Sequence, residues 1–154
     1  MEIKLVTVGK VKEKYYREKI ERLIKDINSI PGKNIKLIEV PDESIPDNAG
    51  NAIMKSIKDK EGKKILSNIG SKDYVVALCI DGTPTDNEML KGLYKKAVNN
   101  YAESFVLIIG GSLGLSDEVI KRADYKLSIS DMTFPHQLMR VLILEIIYDS
   151  LYDC

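Results

Sequence analysis

Only two cysteines and one histidine occur among the 154 residues. Cys79 lies inside an apolar run and Cys154 is the last residue, so neither a disulfide framework nor a spaced set of metal ligands exists, and both thiols are expected to be free. A lone histidine without paired cysteines gives no reason to expect a metal. Basic and acidic residues number 23 each, and a net charge of zero argues against a surface broadly coated with nucleic acid. No apolar run approaches the ~20 residues of a membrane span. The N-terminal Met1-Glu2-Ile3-Lys4-Leu5-Val6 reads as a strand carrying charges, with no basic stretch leading into an apolar signal core. A cytoplasmic protein without membrane contact is expected. Internal repeats and low-complexity tracts are absent, and neither G-x-G-x-x-G nor a P-loop occurs, which disfavours a dinucleotide or a nucleoside triphosphate.

What is present is the composition of one globular domain spanning 1–154, with 44% hydrophobic and 30% charged residues. Short apolar or β-branched runs at Ile3–Val8, Ile35–Val40, Tyr74–Ile80 and Phe105–Ile109, with a weaker one at Tyr125–Ile129, read as strands. Between them, Tyr16, Ile20, Leu23, Ile24 and Ile27 recur at helical spacing. So do Ile53, Ile57, Ile65, Leu66 and Ile69, and then Leu90, Leu93, Tyr94 and Ala97. This β-α alternation predicts an α/β fold, a mostly parallel sheet with helices on both faces. The stretch 41–50, with two prolines, reads as a mobile surface loop. From Lys10 to Asp26, seven basic residues stand against four acidic ones. That surplus fits the solvated face of an amphipathic helix, and it is also compatible with a local phosphate-binding patch.

In an open α/β sheet, ligands gather outside the carboxyl ends of the strands. Three such ends carry unusual loops here: Ile80-Asp81-Gly82-Thr83-Pro84, Gly110-Gly111-Ser112-Leu113-Gly114, and Ser130-Asp131-Met132-Thr133-Phe134. The glycine loop is either a tight turn or a place where backbone approaches a ligand closely. The pattern fits a compact nucleoside without a phosphate chain, held by backbone groups and by Leu78, Ile129 and Met132. Thr133 and Pro135 stand where a helix should begin. His136 then reads as a general base or as a polar residue bonded to nearby backbone. Arg140, one turn further on, reads as a phosphate or carboxylate binder or as a helix surface charge.

Eight of the ten residues from Leu138 to Ile147 are apolar. A helix apolar all round must be buried on more than one side, so one side is expected against the sheet and the other against a second subunit. Ile143 and Ile147 are expected in that interface or in the core.

The runs Ile3-Lys4-Leu5-Val6-Thr7-Val8-Gly9-Lys10, Ile38 to Glu43, Lys60 to Leu66 and above all Ile108 to Arg140 resemble the ribosomal RNA large subunit methyltransferase H family, a branch of the SPOUT methyltransferases. The resemblance covers nearly the whole chain. It implies a C-terminal trefoil knot and a homodimer packed through the terminal helices. It further implies S-adenosylmethionine as cofactor, and methylation of N3 of a pseudouridine in 23S ribosomal RNA on the assembled ribosome. The family's cofactor contacts fall on Leu78, Gly110, Ile129, Ser130, Asp131, Met132, Thr133 and Phe134. His136 and Arg140 are the polar candidates for handling the proton. The chain departs from the family after Tyr148, where Asp149 replaces an arginine and the usual Tyr-His-basic ending is missing. That departure implies intact cofactor binding with weakened methyl transfer, or a cofactor-binding dimer that has lost catalysis.

Overall fold

The five apolar segments become β1 (Glu2–Val8), β2 (Ile35–Val40), β3 (Tyr74–Pro84), β4 (Ser104–Ile109) and β5 (Tyr125–Ser128) of a single sheet. The computed structural model describes residues 1–130 and 134–154, apart from the side chain of His136. Strand order is β2-β1-β4-β3-β5, and every pairing is parallel. All six residues of β4, at the centre, are buried, as a parallel strand covered on both faces requires.

Among the described residues, five helices supply that cover: α1 (Lys14–Asn28), α2 (Asn51–Leu66), α3 (Asn87–Asn99), α4 (Asp117–Arg122) and α5 (His136–Leu151). Helices α1, α3 and α5 pack on the face formed by Ile3, Leu5, Phe105 and Leu107. Helices α2 and α4 pack on the opposite face, against Val6, Val75, Val106 and Ile108. The period-2 alternation of β1, β2, β3 and β4 thus feeds two cores, while β5 adds Tyr125 and Leu127 to the first alone. Local signals set the helix starts: the Asp86 side chain accepts from Met89 N at 2.8 Å to open α3, and Ser116 Oγ accepts from Val119 N at 3.3 Å to open α4.

Helix α5 answers its own all-round apolarity. It lies on the sheet between α1 and α3, with Ile143, Leu144, Ile147 and Leu151 at most 1% exposed. Ile143 and Ile147 therefore belong to the core of one chain. Leu138, Leu142 and Ile146, which recur every fourth residue along one side of the helix, stay partly exposed.

Three expectations need correction. Strand β3 does not end at Ile80. It bulges and rejoins β5, so that Leu127 faces both Leu78 and Thr83, and Pro84 faces Ser128. Gly82 permits this, because a Cβ there would lie 2.8 Å from the carbonyl carbon of Leu127. Ile53, at a predicted core position, is 47% exposed on the first turn of α2. The near half of the 41–50 loop is tied down: Glu43 N donates to Glu61 Oε2 at 3.0 Å, and Lys64 Nζ reaches Glu43 Oε1 at 2.9 Å and Pro41 O at 3.3 Å.

Candidate functional site

Because β4, β3 and β5 are neighbours, the segments that follow them converge at one end of the sheet. They enclose a cavity of about 320 Å³. Leu78, Gly110, Ile129, Ser130 and Phe134 all line it. Asp131, Met132 and Thr133, expected in the same site, lie outside the described residues. Leu115, Ile120 and Met139 add apolar wall from the glycine loop, α4 and α5. Sequence reasoning missed these three, although Leu115 closes the glycine segment and Met139 lies on the apolar last helix.

The glycine loop is a tight turn and a cavity wall at once. Gly114 N donates to Gly111 O at 3.0 Å, and Gly114 adopts φ +83°, a conformation that favours glycine. A Cβ on Gly110 would lie 2.9 Å from the carbonyl carbon of Gly114. One on Gly111 would lie 3.1 Å from Glu61 Oε1 and 3.2 Å from Val8 Cγ1. The loop therefore folds tightly on itself while its strand-end face stays open to the cavity. Cys79, a free and half-buried thiol in the same wall, has its pKa raised by burial, with the charge of Asp81 adding to the effect.

A second cleft, of about 690 Å³, meets the first at Gly111 and runs between the ends of β1 and β2 and the first turn of α5. Arg140 forms part of its floor. Nη1 lies 2.8 Å from Glu39 Oε2, and Nη2 donates to Val8 O at 2.7 Å and Gly9 O at 2.9 Å. Arg140 is only 3% exposed, so it is not a helix surface charge. Burial pulls its pKa below the usual guanidinium value and the Glu39 carboxylate opposes that pull. The carboxylate it binds is the chain's own. Glu39 Oε2 also accepts from Val11 N at 3.3 Å, so the pair ties α5 to the ends of β1 and β2.

His136 opens α5, and its side chain lies outside the described residues. Among the described residues, no group of three or more His, Cys, Asp or Glu side chains is placed to hold a metal ion. No helix among them is long and apolar enough to cross a membrane.

The family described as "Predicted SPOUT methyltransferase" matches residues 1–152. The chain is 48% identical over 148 residues to a protein of Clostridioides difficile named ribosomal RNA large subunit methyltransferase H, covering 96% of this chain and 92% of that one. A protein of the same name from Alkaliphilus oremlandii is 45% identical over 151 residues, covering 98% and 94%. In fold, the chain is similar to the crystal structure of a probable methyltransferase from Bordetella pertussis, with a TM-score of 0.58, 14% identity, and 97% and 95% of the two chains covered. With the family match spanning residues 1–152 and 48% identity over 96% of the chain, the chain belongs to the SPOUT methyltransferases, in the ribosomal RNA large subunit methyltransferase H family.

Proposed function

We propose that this protein transfers a methyl group from S-adenosylmethionine to N3 of a pseudouridine in 23S ribosomal RNA, working as a homodimer on the assembled ribosome. Membership of a methyltransferase family entails a methyl donor. The observation that carries the choice of donor is the cavity at the ends of β3, β4 and β5, which is compact, mainly apolar and, among the described residues, without a phosphate-cradling loop. Leu78, Ile129 and Phe134 suit the flat and thioether-like parts of such a ligand, and Gly110 keeps backbone polar groups within reach of it. Asp131, Met132 and Thr133 complete this assignment. S-adenosylmethionine supplies a methyl group already activated by a sulfonium.

The chain's remaining task is to align the acceptor nitrogen and take its proton. His136 is assigned the proton, since it is the only histidine and begins α5 beside the cavity-lining Phe134. Arg140 acts by position, because both of its terminal nitrogens are engaged. Two features support the fuller picture. The partly exposed side of α5 offers Leu138, Leu142 and Ile146 to a second copy. The chain leaves β5 at one edge of the sheet and returns in α5 to the ends of β1 and β2, a path suited to a trefoil knot. The reaction is tested by incubating ribosomes lacking the modification with donor carrying a labelled methyl group, then digesting the RNA to nucleosides. Label in N3-methylpseudouridine is expected; absence of label, or label in another nucleoside, overturns the proposal.

A further inference from the structure

We infer that the cleft between the ends of β1 and β2 and the first turn of α5 receives the acceptor nucleotide, with Gln137 pairing to its base and Lys10 and Lys12 taking the adjoining phosphates. The inference rests on the RNA methyltransferase reading and says where on this chain the RNA is held. In-line transfer needs the acceptor atom about 3–3.5 Å from the moving methyl carbon, so the acceptor must occupy space continuous with the donor's cavity. The cleft meets that cavity at Gly111. A smaller hollow meets it at Leu113, but that one lies against α2 and α4, where Lys55 is already paired with Asp59 at 3.3 Å. The larger cleft opens at the carboxyl ends of β1 and β2, the end of the sheet where ligands collect in this architecture.

Its chemistry fits a uracil-type base. Gln137 lines the cleft, and its Oε1 is buried with no hydrogen-bond partner among the described residues. A buried acceptor left without a donor is the complement of a ligand that brings one. A pseudouridine carries a second ring N–H, at N1 beside its C2 carbonyl, and a carboxamide matches that edge with one acceptor and one donor while leaving N3 open to the methyl group. The charges lining the cleft sort the same way. Glu39 is paired with Arg140 at 2.8 Å and Glu43 with Lys64 at 2.9 Å. Of the other ionisable side chains lining it, Lys10 and Lys12 are exposed at the rim without an ion pair among the described residues, and Asp42 is the one acid in that state. The rim is left with one net positive charge, placed where a strand of RNA entering the cleft would run its backbone.

The experiment compares the parent protein with Gln137→Leu, Gln137→Glu and Lys10→Ala/Lys12→Ala in methyl transfer to ribosomes lacking the modification. Affinity for S-adenosylhomocysteine is measured alongside by calorimetry. The expected result is a tenfold or larger loss of kcat/KM in Gln137→Leu, partly restored in Gln137→Glu, which keeps the acceptor. The double lysine variant should raise KM and lower the slope of log affinity against log salt by about one per lysine. Affinity for S-adenosylhomocysteine should stay at the parent value in all three. Parental kcat/KM in the Gln137 and lysine variants overturns the inference and leaves the methyltransferase reading standing. A parent that moves no methyl to the ribosome overturns that reading, and the inference with it.

Discussion

The guanidinium of Arg140, on α5, closes on the carboxylate of Glu39, at the end of β2, with 2.8 Å between charged atoms that lie 101 residues apart in the chain. The guanidinium is the buried member, and removing it leaves Val8 O, Gly9 O and the partly exposed Glu39 carboxylate without their donor. Arg140→Met is expected to cost about 2 kcal/mol of unfolding free energy, by the usual effect of leaving buried backbone acceptors unpaired. Urea denaturation checks this, and an unchanged midpoint would show that the clasp adds nothing. Glu39→Gln, which keeps an acceptor for Arg140 and for Val11 N, should cost less than half as much.

The glycine loop gives a second prediction. A Cβ on Gly110 would press on the Gly114 backbone, which cannot swing aside as a side chain can. Gly110→Ala should displace the loop and weaken binding of S-adenosylhomocysteine by roughly tenfold or more, consistent with the 1–3 kcal/mol of typical overpacking. Calorimetry on a variant that keeps its parental circular dichroism is the measurement. Equal affinity in the two proteins would remove Gly110 from the binding wall.

The two cysteines should react differently. Cys154 is exposed, whereas burial holds the Cys79 thiol protonated at neutral pH, with less thiolate than an open cysteine has. Alkylation by iodoacetamide at pH 7.5, followed by mass spectrometry, should modify Cys154 roughly ten times faster. As pH rises toward the raised pKa, Cys79 should begin to react, and S-adenosylhomocysteine should then slow it. Reaction of Cys79 that ignores the ligand would place the ligand elsewhere.

Helix α5 separates folding from assembly. Ile143→Ala, at a fully buried position, should destabilise the chain by about 3 kcal/mol. Leu142→Asp sits on the partly exposed side and should instead convert a dimer to a folded monomer, seen as a halved mass in light scattering. A parent that is already monomeric would overturn the assembly part of the proposal.

The strands were legible because each is an apolar run bounded by glycine, proline or charge, and the glycine loop because its residues are spaced for a turn at a strand end. Other features were not legible, for physical reasons. The partner of Arg140 lies on a strand made a hundred residues earlier, and no local pattern reports such a pair. The continuation of β3 through Thr83 and Pro84 was hidden because Gly82 and Pro84 carry the ordinary signals of a turn, and only the approach of the Leu127 backbone reveals a bulge. Ile53 fits a helical stripe, yet α2 turns it to solvent and buries Glu61 and Gly62 instead. The apolar girth of α5 points to burial on more than one side, and the flanking helices α1 and α3 meet much of that demand within one chain.

The packing of α5 on α1 also has a bearing on biosynthesis. Ile20, Leu23 and Ile27 share their core with Val141, Ile143 and Ile147, so this half of the domain cannot close until residues 136–151 have been translated and have cleared the exit tunnel. At roughly 5–20 residues per second, the stripe on α1 waits on the order of ten seconds with its apolar side chains uncovered. Closure of this core is therefore a late event, and the emerging α1 is the segment on which a ribosome-bound chaperone would be expected to dwell.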